Sequence, residues 1–148
     1  MQTFLPYSDF SKSAKVLDYR RLGKQRVEGK QILNCLNYRK KGDLYIIDKN
    51  GNRRRRGWID HAAVKLWIGC EEALKFYINT MIIEWINRGY NNNMELYSVK
   101  DLKFPKWLGN KDFHASHRSN LLRKFYEWYS QFGWKEPDNL PYMWVDAE

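Results

Sequence analysis

The sequence contains little of what a disulfide-stabilised or membrane-spanning protein needs. It has only two cysteines, Cys35 and Cys70, and both fall inside apolar helical stretches. Two thiols in that setting, with no signal peptide pattern before them, are typical of a reduced intracellular protein. The apolar runs are far too short to cross a bilayer, which needs about 20 apolar residues. We therefore expect an intracellular protein without a disulfide or a membrane span, with cytoplasm, nucleus and virus particle all left open.

Histidine is also scarce, and the three histidines do not predict a metal site. His114 and His117 are three residues apart and therefore share one helix face. However, no cysteine or acidic residue stands at ligand spacing beside them, and a structural zinc site needs four ligands. The sequence predicts no metal and no other cofactor.

Positive charge is abundant and unevenly distributed. Lysine and arginine number 26 against 17 acidic residues, which gives a formal net charge of +9. Residues 39–56 hold eight of these cations against two acids, whereas the last fourteen residues hold four acids and one cation. Such a balance favours polyanionic partners. No amphipathic segment places all its cations on one face and free aromatics on the other, so a membrane surface is the poorer match.

The apolar periodicity predicts a mainly α fold with three principal helices. Asp18 is placed to cap a helix that runs to about Arg39, and Ser8 or Ser11 can cap a shorter helix before it. A long helix is expected over 61–88, capped by Asp60, with Gly69 marking a close helix contact inside it. The third principal helix is expected over 111–125, and the tail over 134–144 should run irregularly over the body.

An Asn50-Gly51 pair lies between an apolar run and an arginine run, and this is the strongest short-range signal for a β-hairpin. We expect a small hairpin that lifts four arginines away from the body. The fold class predicted from the sequence is therefore a compact, mainly α single domain over residues 1–148, with a basic hairpin insert at about 40–57.

The start of the chain carries the clearest chemical signal. An α-amine has a pKa of about 7.7–8.0, against about 10.4 for lysine, so it supplies far more neutral nucleophile near pH 7. Nearby arginines lower that pKa further, and a carboxylate can stabilise developing positive charge and move protons. Met1 and Glu28 are therefore the candidate catalytic pair. The alternative is that Phe4 and Leu5 merely anchor the terminus, while Glu28 pairs with a neighbouring cation of its own helix.

Motifs spread over nearly the whole chain, except the insert, resemble the pyrimidine-dimer DNA glycosylase (endonuclease V) family. The motifs that carry the resemblance are Tyr19-Arg-x-Leu with Arg26-Val27, His61-x-x-Val with Trp67, Leu74 and Phe76, Glu84-x-x-x-Arg-Gly-Tyr90, and His114-x-Ser-His117 with Leu121 and Arg123. The sequence is most similar to the bacterial branch, whose members open Met-Gln-Thr-Phe-Leu-Pro-Tyr.

The resemblance implies a compact, mainly α enzyme that flips a base opposite the lesion and attacks the sugar with its N-terminal amine. It implies strand cutting by β-elimination through a Schiff base, and phosphate contacts for Arg20 and Arg26. Two departures support an alternative, a non-catalytic DNA-binding or DNA-packaging protein on the same scaffold. Arg21 stands where the family has its catalytic glutamate, and Gln2 is too large for ordinary methionine removal, which leaves the amine on Met1.

The expected partner is double-stranded DNA, and a homodimer is left open. The side chains expected to contact DNA are Arg20, Arg21, Lys24, Arg26, Arg53, Arg54, Arg55, Arg56, His114, His117, Arg118, Arg123 and Lys124. The four hairpin arginines have no support from the family and can equally be a localisation signal or a solvated loop. A protein-interaction module that uses an aromatic patch is the third alternative.

Overall fold

Six helices and one short hairpin make up the computed structural model, which describes residues 1–145. The last three residues of the predicted domain lie outside that range, and the domain boundary stays a prediction. The principal helices are α2 (Tyr19–Lys41), α4 (Glu71–Asn87) and α5 (Lys111–Lys124). The predicted mainly α fold with a small hairpin is confirmed. Within the described range, no helix is long and apolar enough to cross a membrane.

Helix α2 begins and ends as its sequence predicts. The Asp18 side chain accepts a hydrogen bond from the backbone N–H of Arg21, which satisfies one of the free donors of the first turn. Gly42 ends the helix with a φ of 72°, a left-handed conformation that glycine adopts without a steric penalty. Three cations in the last turn add a favourable interaction with the helix dipole.

The short first helix, α1 (Phe10–Val16), has a different cap from the one predicted. Its N-cap is Asp9, whose Oδ1 accepts from the backbone N–H of Lys12 at 2.8 Å. The expectation of Ser8 or Ser11 at this position is wrong. Aspartate is as good a cap as serine, so the residues alone do not distinguish neighbouring candidates.

The predicted long helix over 61–88 is also wrong, because the chain breaks into α3 (Ala62–Lys65) and α4. His61, rather than Asp60, caps α3, since its Nδ1 accepts from the Ala63 N–H at 2.9 Å. Gly69 lies in the break with a φ of 79°. A Cβ built on Gly69 meets nothing within 4 Å, so this glycine provides a left-handed turn and not the close helix contact that was predicted.

The core lies where α2 crosses α4, and a different glycine allows the close approach. A Cβ on Gly29 would stand 2.6 Å from the Cγ1 of Ile78, closer than real Cβ contacts. Trp67 and Tyr77 are fully buried in the same core, and so is Leu5 from the first residues of the chain. The N-terminal segment is therefore an internal part of the fold.

The hairpin forms where the sequence predicts it. Strand β1 (Tyr45–Ile47) pairs antiparallel with β2 (Arg53–Arg55), with Ile46 opposite Arg54. The Asp48 side chain accepts hydrogen bonds from two backbone N–H groups of the connecting turn. After α5 come α6 (Tyr126–Tyr129), a 3-10 turn over Ser130–Phe132, and an irregular segment, which confirms the predicted tail.

Replacing Gly69 by Ala is expected to lower the free energy of unfolding by about 1–2 kcal/mol, because an L side chain in the left-handed region crowds its own backbone. Denaturant-induced unfolding followed by circular dichroism measures the change. Gly57→Ala is the matched control, since Gly57 has open space around it and no left-handed φ. Equal unfolding midpoints for the two variants would contradict the role assigned to Gly69.

Candidate active site

The first residues of the chain are held by side chains from three helices. The Phe4 N–H donates to Gln25 Oε1 of α2 at 2.9 Å, and the Tyr77 hydroxyl of α4 donates to the Phe4 carbonyl at 2.8 Å. From α5, His117 Nδ1 accepts from the Leu5 N–H at 2.9 Å. The predicted anchoring of the terminus by Phe4 and Leu5 is present, since both are buried.

The same anchoring places the chain terminus beside Glu28. Glu28 Oε2 accepts from the backbone N–H of Gln2 at 3.3 Å, so the carboxylate lies next to the peptide bond that joins Met1 to Gln2. In the described part of the chain no cation lies within ion-pair distance of Glu28. Arg21 pairs with Asp18 instead, at 3.2 Å. The alternative in which Glu28 only neutralises a helix neighbour is therefore wrong.

Gln25 is the residue that sequence reasoning missed. Its Nε2 donates to Glu28 Oε2 at 3.2 Å and to the Gln2 carbonyl at 3.0 Å, and its Oε1 lies 2.6 Å from the Tyr77 hydroxyl, whose one proton is shared with the Phe4 carbonyl. With every side-chain group used, Gln25 fixes both the carboxylate and the terminal segment. The signal available in the sequence was its position three residues before Glu28, on the same helix face.

Met1 and Glu28 open into a cleft of about 730 Å³. The cleft is lined by residues of the terminal segment, of α2 and of the end of α5, namely Met1, Gln2, Phe4, Asp18, Tyr19, Arg20, Arg21, Lys24, Gln25, Glu28, Lys124, Phe125 and Tyr142. Four of these are cations and two are carboxylates, one of which is already neutralised by Arg21. A phosphate group entering the cleft therefore meets a net positive field.

Lys124 lies within that field. Burial lowers the pKa of Lys124 below its usual value, and the positive charges of Arg21 and Arg123 lower it further. The same cations disfavour any additional positive charge in the cleft and favour an anion there. The structure thus brings together Met1, Glu28, Arg20, Arg21, Lys24 and Lys124 of the predicted site residues.

Other predicted DNA contacts lie elsewhere. The guanidinium of Arg26 stacks 4.4 Å from the Trp85 ring and donates to Asn92 at 2.7 Å. Arg118 pairs with Glu136 at 2.9 Å and donates to the Pro6 carbonyl at 2.7 Å, so it ties the tail to the terminal segment. Both arginines are occupied inside the protein, which argues against a free phosphate-gripping role for either.

Arg123 is more accessible than these two. It lies exposed near the end of α5 and donates to the Asn120 side chain and, at 3.4 Å, to the Asp138 carbonyl. Its side chain is not among those that line the cleft, and its predicted contact with DNA stays a prediction.

The prediction that His114 and His117 face DNA is wrong, because they are 5% and 0% exposed. Both bind Leu5: His114 Nδ1 lies 2.8 Å from its carbonyl, and His117 Nδ1 accepts from its N–H. Burial lowers the pKa of His117 to about 3, and the neighbouring His114 contributes in the same direction. The two rings are neutral anchors for the terminal segment. No group of three or more potential metal ligands occurs among residues 1–145.

The hairpin arginines divide into two pairs. Arg55 forms an ion pair with Asp60 at 2.6 Å, and Arg56 forms one with Asp43 at 2.7 Å. Arg53 stacks over the Tyr45 ring at 3.8 Å but remains exposed, and Arg54 is exposed on the other face. The outer pair is thus presented to solvent, while the inner pair stabilises the base of the hairpin.

The cleft of this mainly α protein is lined by Met1 and by four cations. The family model described as pyrimidine dimer DNA glycosylase matches residues 1–98, and the chain belongs to this family. The family predicted from the sequence is therefore confirmed, whereas the resemblance of the motif around His114 and His117 lies beyond the match and stays a prediction. The family makes DNA the substrate or partner. No curated protein and no solved structure matches the chain. The matched span contains Met1, Glu28 and the hairpin, whereas Lys124 lies beyond it.

Proposed function

We propose that this protein is a base-excision repair enzyme, a DNA glycosylase with an associated strand-cleaving lyase step on a damaged or modified pyrimidine. The observation that carries the proposal is the position of Glu28 beside the first peptide bond of the chain, in a cleft lined by cations. Family membership supports the glycosylase activity, and the site supplies the amine, the carboxylate and the phosphate contacts that the reaction needs.

In the proposed reaction the neutral Met1 amine attacks C1′ of the deoxyribose. The new C–N bond forms as the glycosidic bond breaks, and the base departs with the electron pair and takes up a proton. Ring opening then gives a Schiff base to C1′. Loss of a C2′ proton and departure of the 3′ phosphate oxygen with its electron pair cleave the strand. Glu28 stabilises the positive charge that develops at the sugar and carries the protons between these steps.

The cations of the cleft position the DNA backbone in this proposal. Arg20 and Lys24 are exposed on α2, and Lys124 faces them from α5. Each phosphate that they neutralise releases condensed counterions, so binding weakens steeply with salt. Gln2 adds a directed donor, since its Nε2 is buried without a hydrogen-bond partner among the described residues and the side chain lines the cleft. A buried donor of this kind is satisfied when a substrate oxygen accepts from it.

The second candidate is a DNA-binding or DNA-packaging protein that kept the scaffold without the chemistry. The observation that favours it is the Arg21–Asp18 ion pair, because an arginine occupies the position of the family's glutamate and is engaged structurally. In this alternative the cleft binds phosphate and Glu28 only positions the backbone of Gln2.

Borohydride trapping on a duplex that contains one abasic site tests the proposal. We expect a covalent protein–DNA adduct that maps to Met1 by peptide mass spectrometry, together with strand cleavage in the absence of borohydride. The matched control is the same protein with its terminal amine acetylated, which should bind the duplex and form no adduct.

Two results would contradict parts of the proposal, and a third would show that acetylation is an unsuitable control. Salt-sensitive binding without adduct or cleavage would favour the non-catalytic alternative. An adduct at Lys24 or Lys124 would keep the lyase chemistry but move the nucleophile from the terminus to a cleft lysine. Loss of binding on acetylation would mean that the amine contributes to the fold or to affinity and would require a different probe of the chemistry.

A further inference from the structure

Four rings form a continuous strip, here called the aromatic strip, from the base of the hairpin to the cleft. The Trp58 ring packs on His61 with centroids 5.5 Å apart, and His61 meets Trp144 edge to face at 6.2 Å. Trp144 in turn packs on Tyr142 at 5.7 Å, and Tyr142 lines the cleft that holds Met1. The strip therefore connects the arginine-bearing hairpin to the candidate active site.

The two tryptophans of the strip are unusually accessible. Trp58 is 59% exposed and Trp144 is 41% exposed, whereas Trp67 and Trp107 lie in the core. Large aromatic rings are normally buried, so two neighbouring exposed tryptophans mark a binding surface.

Trp58 is also held in a conformation that its side chain does not favour. Its φ is 67°, in the left-handed region, and it is one of two non-glycine residues with positive φ in the described part of the chain. The Trp58 carbonyl accepts from the His61 N–H at 2.9 Å, which closes the turn. Strained residues of this kind concentrate at functional sites. At this position the left-handed backbone directs the Trp58 ring toward solvent beside the hairpin.

Charge lies at both ends of the strip. Toward the hairpin, Arg53 and Arg54 are exposed, and the Arg55–Asp60 pair fixes β2 to the turn that carries Trp58. Toward the cleft, Tyr142 lines the cavity together with Arg21, Lys24 and Lys124. Exposed rings between cations match a nucleic-acid strand, which offers π-faces and phosphates together.

We propose that the aromatic strip binds unpaired nucleobases of DNA next to the cleft, with Trp58 and Trp144 as stacking platforms and Arg53 and Arg54 on the adjacent phosphates. The inference deepens the proposed function, because it rests on DNA lying in the cleft, and it names the substrate class as a duplex with a locally unstacked segment. Fully paired bases cannot present their faces, so the strip discriminates distorted from regular DNA. A protein partner is disfavoured by the flanking arginines and by the continuity of the strip with the cationic cleft.

The test compares the binding of four variants to two duplexes of equal length, one fully paired and one with a two-nucleotide bulge. Three of the variants change aromatic residues, and the fourth is Arg54→Gln. Trp58→Asn removes the ring while keeping a residue type that tolerates a left-handed backbone. Trp58→Tyr keeps a ring. Tyr126→Ala is the matched control, since Tyr126 is 65% exposed on α6 and does not belong to the strip.

We expect Trp58→Asn to weaken binding of the bulged duplex by roughly 5- to 100-fold, the range for loss of one base–aromatic stack. Its affinity for the paired duplex and its salt dependence should stay as in the wild type, because stacking releases no counterions. Trp58→Tyr should restore most of the affinity, and Tyr126→Ala should change nothing. In contrast, Arg54→Gln should reduce the salt slope for the bulged duplex by about one.

Equal effects of Trp58→Asn on both duplexes, or no effect on either, would overturn the proposal. Thermal unfolding of each variant by circular dichroism separates loss of the ring from loss of the fold. The assay needs no chemistry, so its outcome is independent of the trapping experiment. Bulge-selective binding without an abasic-site adduct would support the role of the aromatic strip and contradict the proposed enzyme activity. Strand cleavage by the wild type, together with unchanged binding of the bulged duplex by Trp58→Asn, would support the enzyme activity and contradict the role of the strip.

Discussion

Strand cleavage at an abasic site is expected to fall about 10²–10⁴-fold when Glu28 is replaced by Gln, the usual loss when a general acid–base group is removed. The amide keeps an oxygen that accepts from the Gln2 N–H, the bond that Glu28 Oε2 makes at 3.3 Å. The terminal segment therefore keeps its position, while the negative charge and the proton-carrying group are lost. Single-turnover kinetics on an abasic duplex measure the effect.

The affinity for the abasic duplex, unlike the cleavage rate, should not fall in Glu28→Gln. The cleft contains four cations, and removing a carboxylate from it raises the positive potential seen by the DNA backbone. We expect unchanged or somewhat tighter binding of the same duplex. Glu95→Gln is the control, because Glu95 is exposed in the segment between α4 and α5, away from the cleft lining. If Glu28→Gln cleaved the strand as fast as Glu95→Gln, the catalytic role proposed for Glu28 would be wrong.

Mild acid is expected to destabilise the protein by about 2 kcal/mol between pH 7 and pH 5, through His117. His117 is fully buried, with its pKa lowered from 6.5 to about 3. The unfolded chain therefore binds a proton that the folded chain excludes, and the free energy of unfolding falls as the pH falls. This contribution to stability is complete above about pH 6.5 and is lost progressively toward pH 3.

Urea unfolding at several pH values measures this loss. His114 contributes in the same direction, because burial also lowers its pKa. Carboxylates with lowered pKa, such as Glu136, act mainly below their ordinary value of 4.5, so the interval from pH 5 to pH 6.5 reports chiefly on histidine. His117→Gln should be less stable at pH 7 and should show a much weaker pH dependence in this interval. If His117→Gln kept the pH dependence of the wild type, the loss of stability in mild acid could not be due to His117.

The same histidines link acid stability to the proposed activity. His117 and His114 together bind the N–H and the carbonyl of Leu5, four residues from the terminal amine. Protonation of His117 removes the acceptor for the Leu5 N–H and places a charge in the core. The terminal segment then loses one of its hydrogen bonds to α5, while the bonds from His114 and Arg118 remain, so the position of Met1 beside Glu28 is held less firmly.

Much of the fold could be predicted from signals carried by residues close together in the sequence. The Asp18 cap, the Asn50-Gly51 hairpin and the extent of α5 depend on neighbouring residues and were predicted correctly. The break between α3 and α4 was not predicted, because the apolar residues on both sides of it keep the spacing of a single helix. The turn is visible only in the left-handed backbone at Gly69 and in the hydrogen bond from the Cys70 N–H to the Trp67 carbonyl.

By itself, the sequence determined the family, the positive charge, the mainly helical fold and the presence of an amine and a carboxylate near one helix. These properties reside in composition and in short segments, so they can be read without coordinates. The tertiary structure alone decided which charged groups share the cleft. Glu28 meets the chain terminus because Gln25 and His117 fix that segment from two helices, and Arg56 is neutralised by Asp43 from the other side of the hairpin. Contacts between residues far apart along the chain depend on how the helices pack, and no local pattern encodes that packing.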